Sequence, residues 1–171
     1  NNKMKSDIVK KGIDAPEIKF CLEEIGYTDT ELQRPLIGVV NSANTIIPGH
    51  VHLDYIVEAV KAGVYMGGGT PVEFGTIGVC DGIAMNHVVM KQNFVILVYP
   101  VDSIEVMATA HAFDAMIMVT NCDKIVPGML MAAARLNLPA IVISGGAMLA
   151  GNNPLAGKKE KIDLVTVFES V

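Results

Sequence analysis

A chain of 171 residues carrying 18 acidic and 13 basic side chains, for a formal net charge of −5, has the length of one domain or of a piece of a larger one. An apolar share of 51% excludes a disordered tail, and the acidic balance leaves no electrostatic footprint for nucleic acid. Charged residues make up only 18% against about 25% in a typical soluble domain. With ten Met and no Trp, that shortfall predicts surface covered by a partner or by a further part of the protein.

The segment to Gln33 is charged and mixed, and Asp14-Ala15-Pro16 opens a short helix that runs to Ile25 and stops at Gly26. Residues 36–40 form an apolar run between Pro35 and Asn41 and read as a buried strand. After the Pro48-Gly49 turn, Val51, Leu53, Ile56, Val57, Val60 and Val64 recur at helical spacing, which predicts an amphipathic helix over 50–66. Gly67-Gly68-Gly69 reads as its stop. A second strand is predicted over 72–79, a helix over 102–112 and a third strand over 115–120. Pro127 suits the first turn of a helix that runs on through 129–136, and Asn137-Leu138-Pro139 ends it. A fourth strand over 140–143 closes on Ser144-Gly145-Gly146, and the polar residues 151–161 read as a loop.

Strands alternating with helices at this spacing predict βαβ units. The expected fold is α/β, a mostly parallel sheet flanked by helices in three α/β/α layers. A helical segment over 1–34 would precede a partial α/β domain over 35–171. No apolar run reaches the ~18 residues of a membrane span, so no membrane partner is expected. The polar residues 1–11 lack the apolar centre of a secretory signal. An odd set of cysteines, Cys21, Cys80 and Cys122, predicts a reducing, cytoplasmic setting or a metal role rather than a disulfide scaffold. Asn1 stands where a start methionine would, so trimming is expected.

Ligands of open α/β sheets sit outside the carboxyl ends of the strands. Those ends carry Asn41-Ser42, Cys80-Asp81-Gly82, Asn121-Cys122-Asp123-Lys124 and Ser144-Gly145-Gly146. Two of the four hold a Cys-Asp pair, and a soft thiolate beside a hard carboxylate suggests two different inorganic sites on one rim. The plainer alternatives stay open: such a Cys is often a small buried hydrophobe and such an Asp a helix cap. Two thiols alone do not complete a four-thiolate site. Ser144-Gly145-Gly146 reads as a turn or as an anion cradle. His50 and His52 read as capping or surface residues, His87 and His111 as ordinary polar residues, and the Met residues as core filling.

The run Asn121-Cys122-Asp123-Lys124-Ile125-Val126-Pro127-Gly128 resembles the signature of the dihydroxy-acid/6-phosphogluconate dehydratases, and Met131-Ala132-Ala133-Ala134-Arg135-Leu136-Asn137 is similar to its dihydroxy-acid branch. Pro48-Gly49-His50-Val51-His52-Leu53, Gly68-Gly69-Thr70-Pro71-Val72-Glu73-Phe74, Cys80-Asp81-Gly82-Ile83-Ala84-Met85 and Ile162-Asp163-Leu164-Val165 match further family blocks in order. The resemblance implies dehydration of a 2,3-dihydroxy acid to a 2-keto acid in valine and isoleucine biosynthesis. It also implies an iron–sulfur cluster (2Fe–2S or 4Fe–4S), Mg2+ and a homo-oligomer, a dimer. Cys122 would be a cluster thiolate; Asp81, Asp123 and a carbamylated Lys124 would hold Mg2+, with desolvation lowering the lysine's pKa to permit the modification. No catalytic base is expected in these residues, because the resemblance puts the serine base in a C-terminal domain, so the isolated chain is expected to be inactive. A sugar-acid dehydratase and a non-catalytic binding or assembly module are the alternatives.

The chain also departs from the family pattern. Gly49 stands where some members carry a further cysteine, Cys80 is not carried over as a ligand, and Asp14, Glu17, Ile18, Ala43 and Thr45 replace usual residues. Residues 86–101 lack the family's polar block, as a compensated frameshift or a degenerate copy would, and their β-branched run 95–98 argues against a helix start.

Overall fold

Three short helices lead into the sheet: α1 (Asp7–Lys10), α2 (Ala15–Glu24) and α3 (Asp29–Leu32). They belong to a computed structural model that describes residues 3–11, 15–84, 88, 93–153 and 161–169. A reciprocal capping box starts α3: Thr28 Oγ1 accepts from Glu31 N, and Glu31 Oε2 accepts from Thr28 N at 2.8 Å. This segment is tied to the body by Asp114, whose carboxylate accepts from Ser6 N, from Ser6 Oγ and from Leu36 N.

The sheet follows as β1 (Leu36–Asn41), β2 (Thr70–Gly75), β3 (Ala115–Thr120) and β4 (Ala140–Ser144), all parallel, in the order β2-β1-β3-β4. The apolar runs of β1 and β3 are central because only a strand buried on both faces keeps so continuous a run out of water. Between the strands lie α4 (Leu53–Met66), α5 (Asp81–Ala84), α6 (Asn93–Ala110) and α7 (Ile125–Leu136). One face packs Val39 and Val119 against Leu53 and Val57 of α4. The other packs Val40, Met116 and Met118 against Val101, Ile104 and Ala108 of α6 and Ile125, Met129 and Ala132 of α7. The three-layer α/β/α arrangement expected from the sequence is the one found. A small antiparallel pair, β5 (Gly151–Asn152) with β6 (Lys161–Ile162), and α8 (Leu164–Glu169) follow.

Several elements differ from the sequence reading. The second strand runs over Thr70–Gly75 rather than 72–79, because its length is set by its partner: the ladder begins at Leu36↔Thr70 and ends at Asn41↔Gly75. Pro71, which reads as a strand breaker, is tolerated because β2 lies at the sheet's edge. α4 starts at Leu53 rather than at residue 50, because 47–52 are taken up by a turn in which His50 N bonds Ile47 O. α6 reaches back to Asn93, through the β-branched run and Pro100, and ends at Ala110. Packing of its fully buried Val101 and Ile104 outweighs the weak local propensity. The two ends of the expected 151–161 loop pair as β5 and β6. Asp14, His87, most of the atypical 86–92 stretch and residues 154–160 lie outside the described residues.

The expected helix stop at Gly67 to Gly69 is present: Gly67 N bonds Gly63 O, Gly69 N bonds Val64 O, and Gly68 has φ 80°. Pro127 lies in the first turn of α7, and Asn137, at φ 47°, caps its end. Met116, Met118 and Met129 fill the core as expected, whereas Met66 and Met148 are exposed. Among the described residues no helix is long and apolar enough to cross a membrane.

Candidate metal-binding cleft at the carboxyl ends of the strands

Four parallel strands present all their carboxyl ends on one side. The connection from β1 through α4 and the later ones through α6 and α7 leave over opposite faces, so the chain changes direction between the adjacent strands β1 and β3. A cleft of about 530 Å³ opens there, where a switch point places ligands in such sheets. The loop after each strand contributes to it: residues 47–49 after β1, 80–83 after β2, 121–123 after β3 and 146–148 after β4.

The sequence-predicted residues converge in this cleft. Asp81 opens α5 with its side chain 14% exposed, and its Oδ2 accepts from Lys124 Nζ at 3.0 Å. Lys124 Nζ also donates to Asp123 Oδ2 at 2.8 Å, so one ammonium joins the two carboxylates. Asp81 Oδ1 is buried and, among the described residues, has no hydrogen-bond partner. A buried acceptor without a donor is costly unless something else meets it. Cys122 joins β3 to α7 in the left-handed region, φ 68°, an uncommon conformation for a non-glycine residue that concentrates at functional sites. Cys80 and Cys122 both line the cleft and both pack against the core.

The electrostatics follow from this packing. Burial, reinforced by the neighbouring Asp123, pushes the Asp81 carboxyl above its ordinary value. Asp123 is held below it by the neighbouring Asp81 and by Lys124, which donates to its Oδ2. The Cys122 thiol is pushed up by burial first, then by Cys80 and the two carboxylates. Lys124 is pushed up by its bonds to Asp123 and Asp81. That corrects the expected direction for the lysine: its burial is too slight to favour the neutral amine against two carboxylates. The ammonium stands between the carboxylates as a cation would.

Hard oxygen donors with one orphaned atom suit Mg2+, and a thiol beside them suits a soft metal centre. Among the described residues no group of three or more His, Cys, Asp or Glu gathers at metal-binding spacing. A Cβ on Gly49 would lie 3.8 Å from Cys122 Sγ, which puts the position where some family members carry cysteine directly against Cys122.

Other rim residues serve the scaffold. Asn41 Nδ2 donates to Asp54 and Glu73, and Ser42 Oγ donates to Val119 O. Both N–H groups of the Gly145-Gly146 turn are used internally, on Thr120 O and Ser144 Oγ, so the turn reading holds against the anion cradle. His50 is neither a cap nor a surface residue: it is fully buried, its ring Nδ1 lies 2.7 Å from Ser42 O, and its Nε2 has no partner among the described residues. His52 precedes α4 without capping it, and its Nε2 lies 3.0 Å from Gly145 O. His111 is exposed, with Nδ1 2.9 Å from Met107 O. Cys21 is exposed on α2, outside the cleft. Asn121 was not singled out by sequence reasoning, yet its carboxamide bonds Gly49 O and Gly146 O. Its place immediately before Cys122 was the available signal.

Residues 34–171 match the family model described as dihydroxy-acid/6-phosphogluconate dehydratase N-terminal. The chain belongs to that family. It is 64% identical over 169 residues to a dihydroxy-acid dehydratase of Desulfosudis oleivorans, a match covering 98% of this chain and 30% of the relative. Similar relatives with the same name come from Acetivibrio thermocellus, 60% identical, and Desulfatibacillum aliphaticivorans, 58% identical, each over 98% of this chain and 30% of the relative. The chain thus spans about 30% of the length of the curated relatives it matches.

Proposed function

We propose that this chain is the N-terminal, cofactor-binding portion of a dihydroxy-acid dehydratase, with a helical segment over 1–34 and an α/β portion over 35–171. The enzyme, a hydro-lyase, would remove water from a 2,3-dihydroxy acid to give an enol that tautomerises to the 2-keto acid, in cytoplasmic valine and isoleucine biosynthesis. The observation that carries this reading is the meeting of Cys122 with Asp81, Asp123 and Lys124 in one cleft.

Asp81 and Asp123 would hold Mg2+ through carboxylate oxygens, and the unpartnered Asp81 Oδ1 supports that role. Lys124 would join them once carbamylated, and Cys122 would supply a thiolate to an iron–sulfur cluster. When bound, these groups supply Lewis acidity toward the substrate's carboxylate and hydroxyl oxygens. The protein side chains would orient that acidity in a cleft that is also lined by the apolar Ile47, Pro48, Ala147 and Met148. Such walls favour a short alkyl acid over a polyhydroxylated sugar acid, as do the names of the relatives. The enzyme would act as a homodimer, and the 171 residues alone would not turn over.

Anaerobic loading of this chain with iron, sulfide, Mg2+ and ¹³C-bicarbonate tests the reading. Near-stoichiometric iron and sulfide, a lysine carbamate resonance and no keto-acid production from 2,3-dihydroxyisovalerate are expected. Protein free of iron would favour a non-catalytic module, and sustained keto acid would refute inactivity of the isolated chain.

A further inference from the structure

We infer that Asn121 is a positioning residue that sets the width of the cleft, an inference that rests on the proposed dehydratase reading for its purpose but on geometry for its substance. A carboxamide NH₂ carries two hydrogens, and each goes to a different wall. Nδ2 donates to Gly49 O at 3.2 Å on the side of β1 and to Gly146 O at 2.7 Å on the side of β4. These carbonyls belong to two loops that both line the cleft, 47–49 and 146–148, and they converge on this one nitrogen.

Each wall is shaped for this bridge. A Cβ on Gly49 would stand 3.2 Å from Asn121 Nδ2, so glycine is what lets the wall approach the amide. A Cβ on Gly145 would stand 2.5 Å from Leu53 Cδ2 and 3.1 Å from His52 Nε2, so glycine is also what lets the second wall fold over α4. There His52 Nε2 holds Gly145 O at 3.0 Å, and Gly145 N bonds Thr120 O at 2.9 Å. The β4 wall is therefore held from two sides. One hold comes from the block that follows β1, the other from the residue directly before Cys122. Asn121 directly precedes Cys122, which turns in the left-handed region at φ 68°, so the bridge is anchored on the same stretch of backbone as the thiol and Asp123. Asn121 is thus the side chain that ties both walls to the residue directly before Cys122, with His52 as a second hold on the β4 wall.

Amide hydrogen exchange on this chain tests the inference with Asn121→Ala, Asn121→Asp and Asn121→Gln. Loss of the donors in the Ala and Asp variants should speed exchange in both 47–50 and 145–149 by about tenfold, while β1, β3, α6 and α7 stay within about twofold of wild type. Asn121→Gln, which keeps the carboxamide on a longer stem, should fall between, and it carries the measurement if the alanine variant does not fold. After anaerobic loading with iron and sulfide, the visible circular dichroism of Asn121→Ala should differ in shape from wild type, with the Gln variant closer to wild type. Unchanged walls, acceleration of one wall only, or equal acceleration of the core strands would overturn the positioning role. A wild-type chain that takes up no iron would instead sink the cofactor reading, and the exchange data would still decide the bridge.

Discussion

Asp114 and Asp81 are two partly buried carboxylates at opposite ends of one sheet, and their surroundings are opposite too. Asp114, at the amino end of β3, accepts from Ser6 N at 3.0 Å, from Ser6 Oγ and from Leu36 N at 2.9 Å, so both its oxygens are met by protein donors. Asp81, beyond the carboxyl end of β2, has one oxygen on Lys124 and the other buried without a partner among the described residues. A carboxylate fully met by the chain has its work inside the fold. One left half-met is held ready for something the chain does not supply. The lesson is that burial alone does not mark a functional acid; an unmet oxygen that also lies with a second carboxylate and a thiol at the carboxyl ends of the strands narrows the choice.

The largest expected effect comes from removing the satisfied acid. Asp114→Ala strands the donors of Ser6, fully buried, and Leu36, nearly so, and should cost about 2–4 kcal/mol. Urea unfolding with an unchanged slope and a lower midpoint reads this directly. Asp81→Asn, by contrast, keeps the shape and removes a charge that burial disfavours, so stability should stay within about 0.5 kcal/mol of wild type. What it should lose is the rise in the unfolding midpoint with added Mg2+, which reports binding to the folded state. The contrast breaks if Asp81→Asn costs as much as Asp114→Ala, or if the Mg2+ response survives it.

Much of this layout was legible in the residues. The apolar runs of β1 and β3 were readable because a strand buried on both faces has no polar alternation to blur it, and β3 falls at 115–120 as expected. The rim block 121–124 was readable because four polar or reactive residues follow one strand and precede one helix. What stayed hidden depends on distant partners. The limits of β2 are set by β1, and the reach of α6 through Pro100 by the core that receives Val101 and Ile104. Nothing local tells that His50 is fully buried, that Asn121 spans two loops, or that two carboxylates raise Lys124 where burial was expected to lower it. Each of those depends on which loops the topology brings together.

The smallest effect sharpens the comparison at the amino end, where acid should loosen what the sheet holds. Asp7 pairs with Lys11 at 2.9 Å and its Oδ2 accepts from Met4 N, and the Lys11 ammonium beside it holds its carboxyl below the ordinary value. A carboxylate with a depressed folded pKa contributes stability above its unfolded pKa and loses it as pH falls through the folded value. Taking the chain from about pH 6 to about pH 3 should therefore loosen α1, adjoining the buried Ser6 that docks on Asp114, before the sheet melts. Nuclear magnetic resonance shifts of the 6–10 amides would follow it. Asp7→Asn at about pH 6 should reproduce part of the acid effect, because it removes the charge that pairs with Lys11 while keeping an acceptor for Met4 N. If α1 keeps its shifts down to the acid end while the core strands change first, the amino end is held by packing rather than by its carboxylates, and the contrast with the half-met Asp81 loses its electrostatic basis.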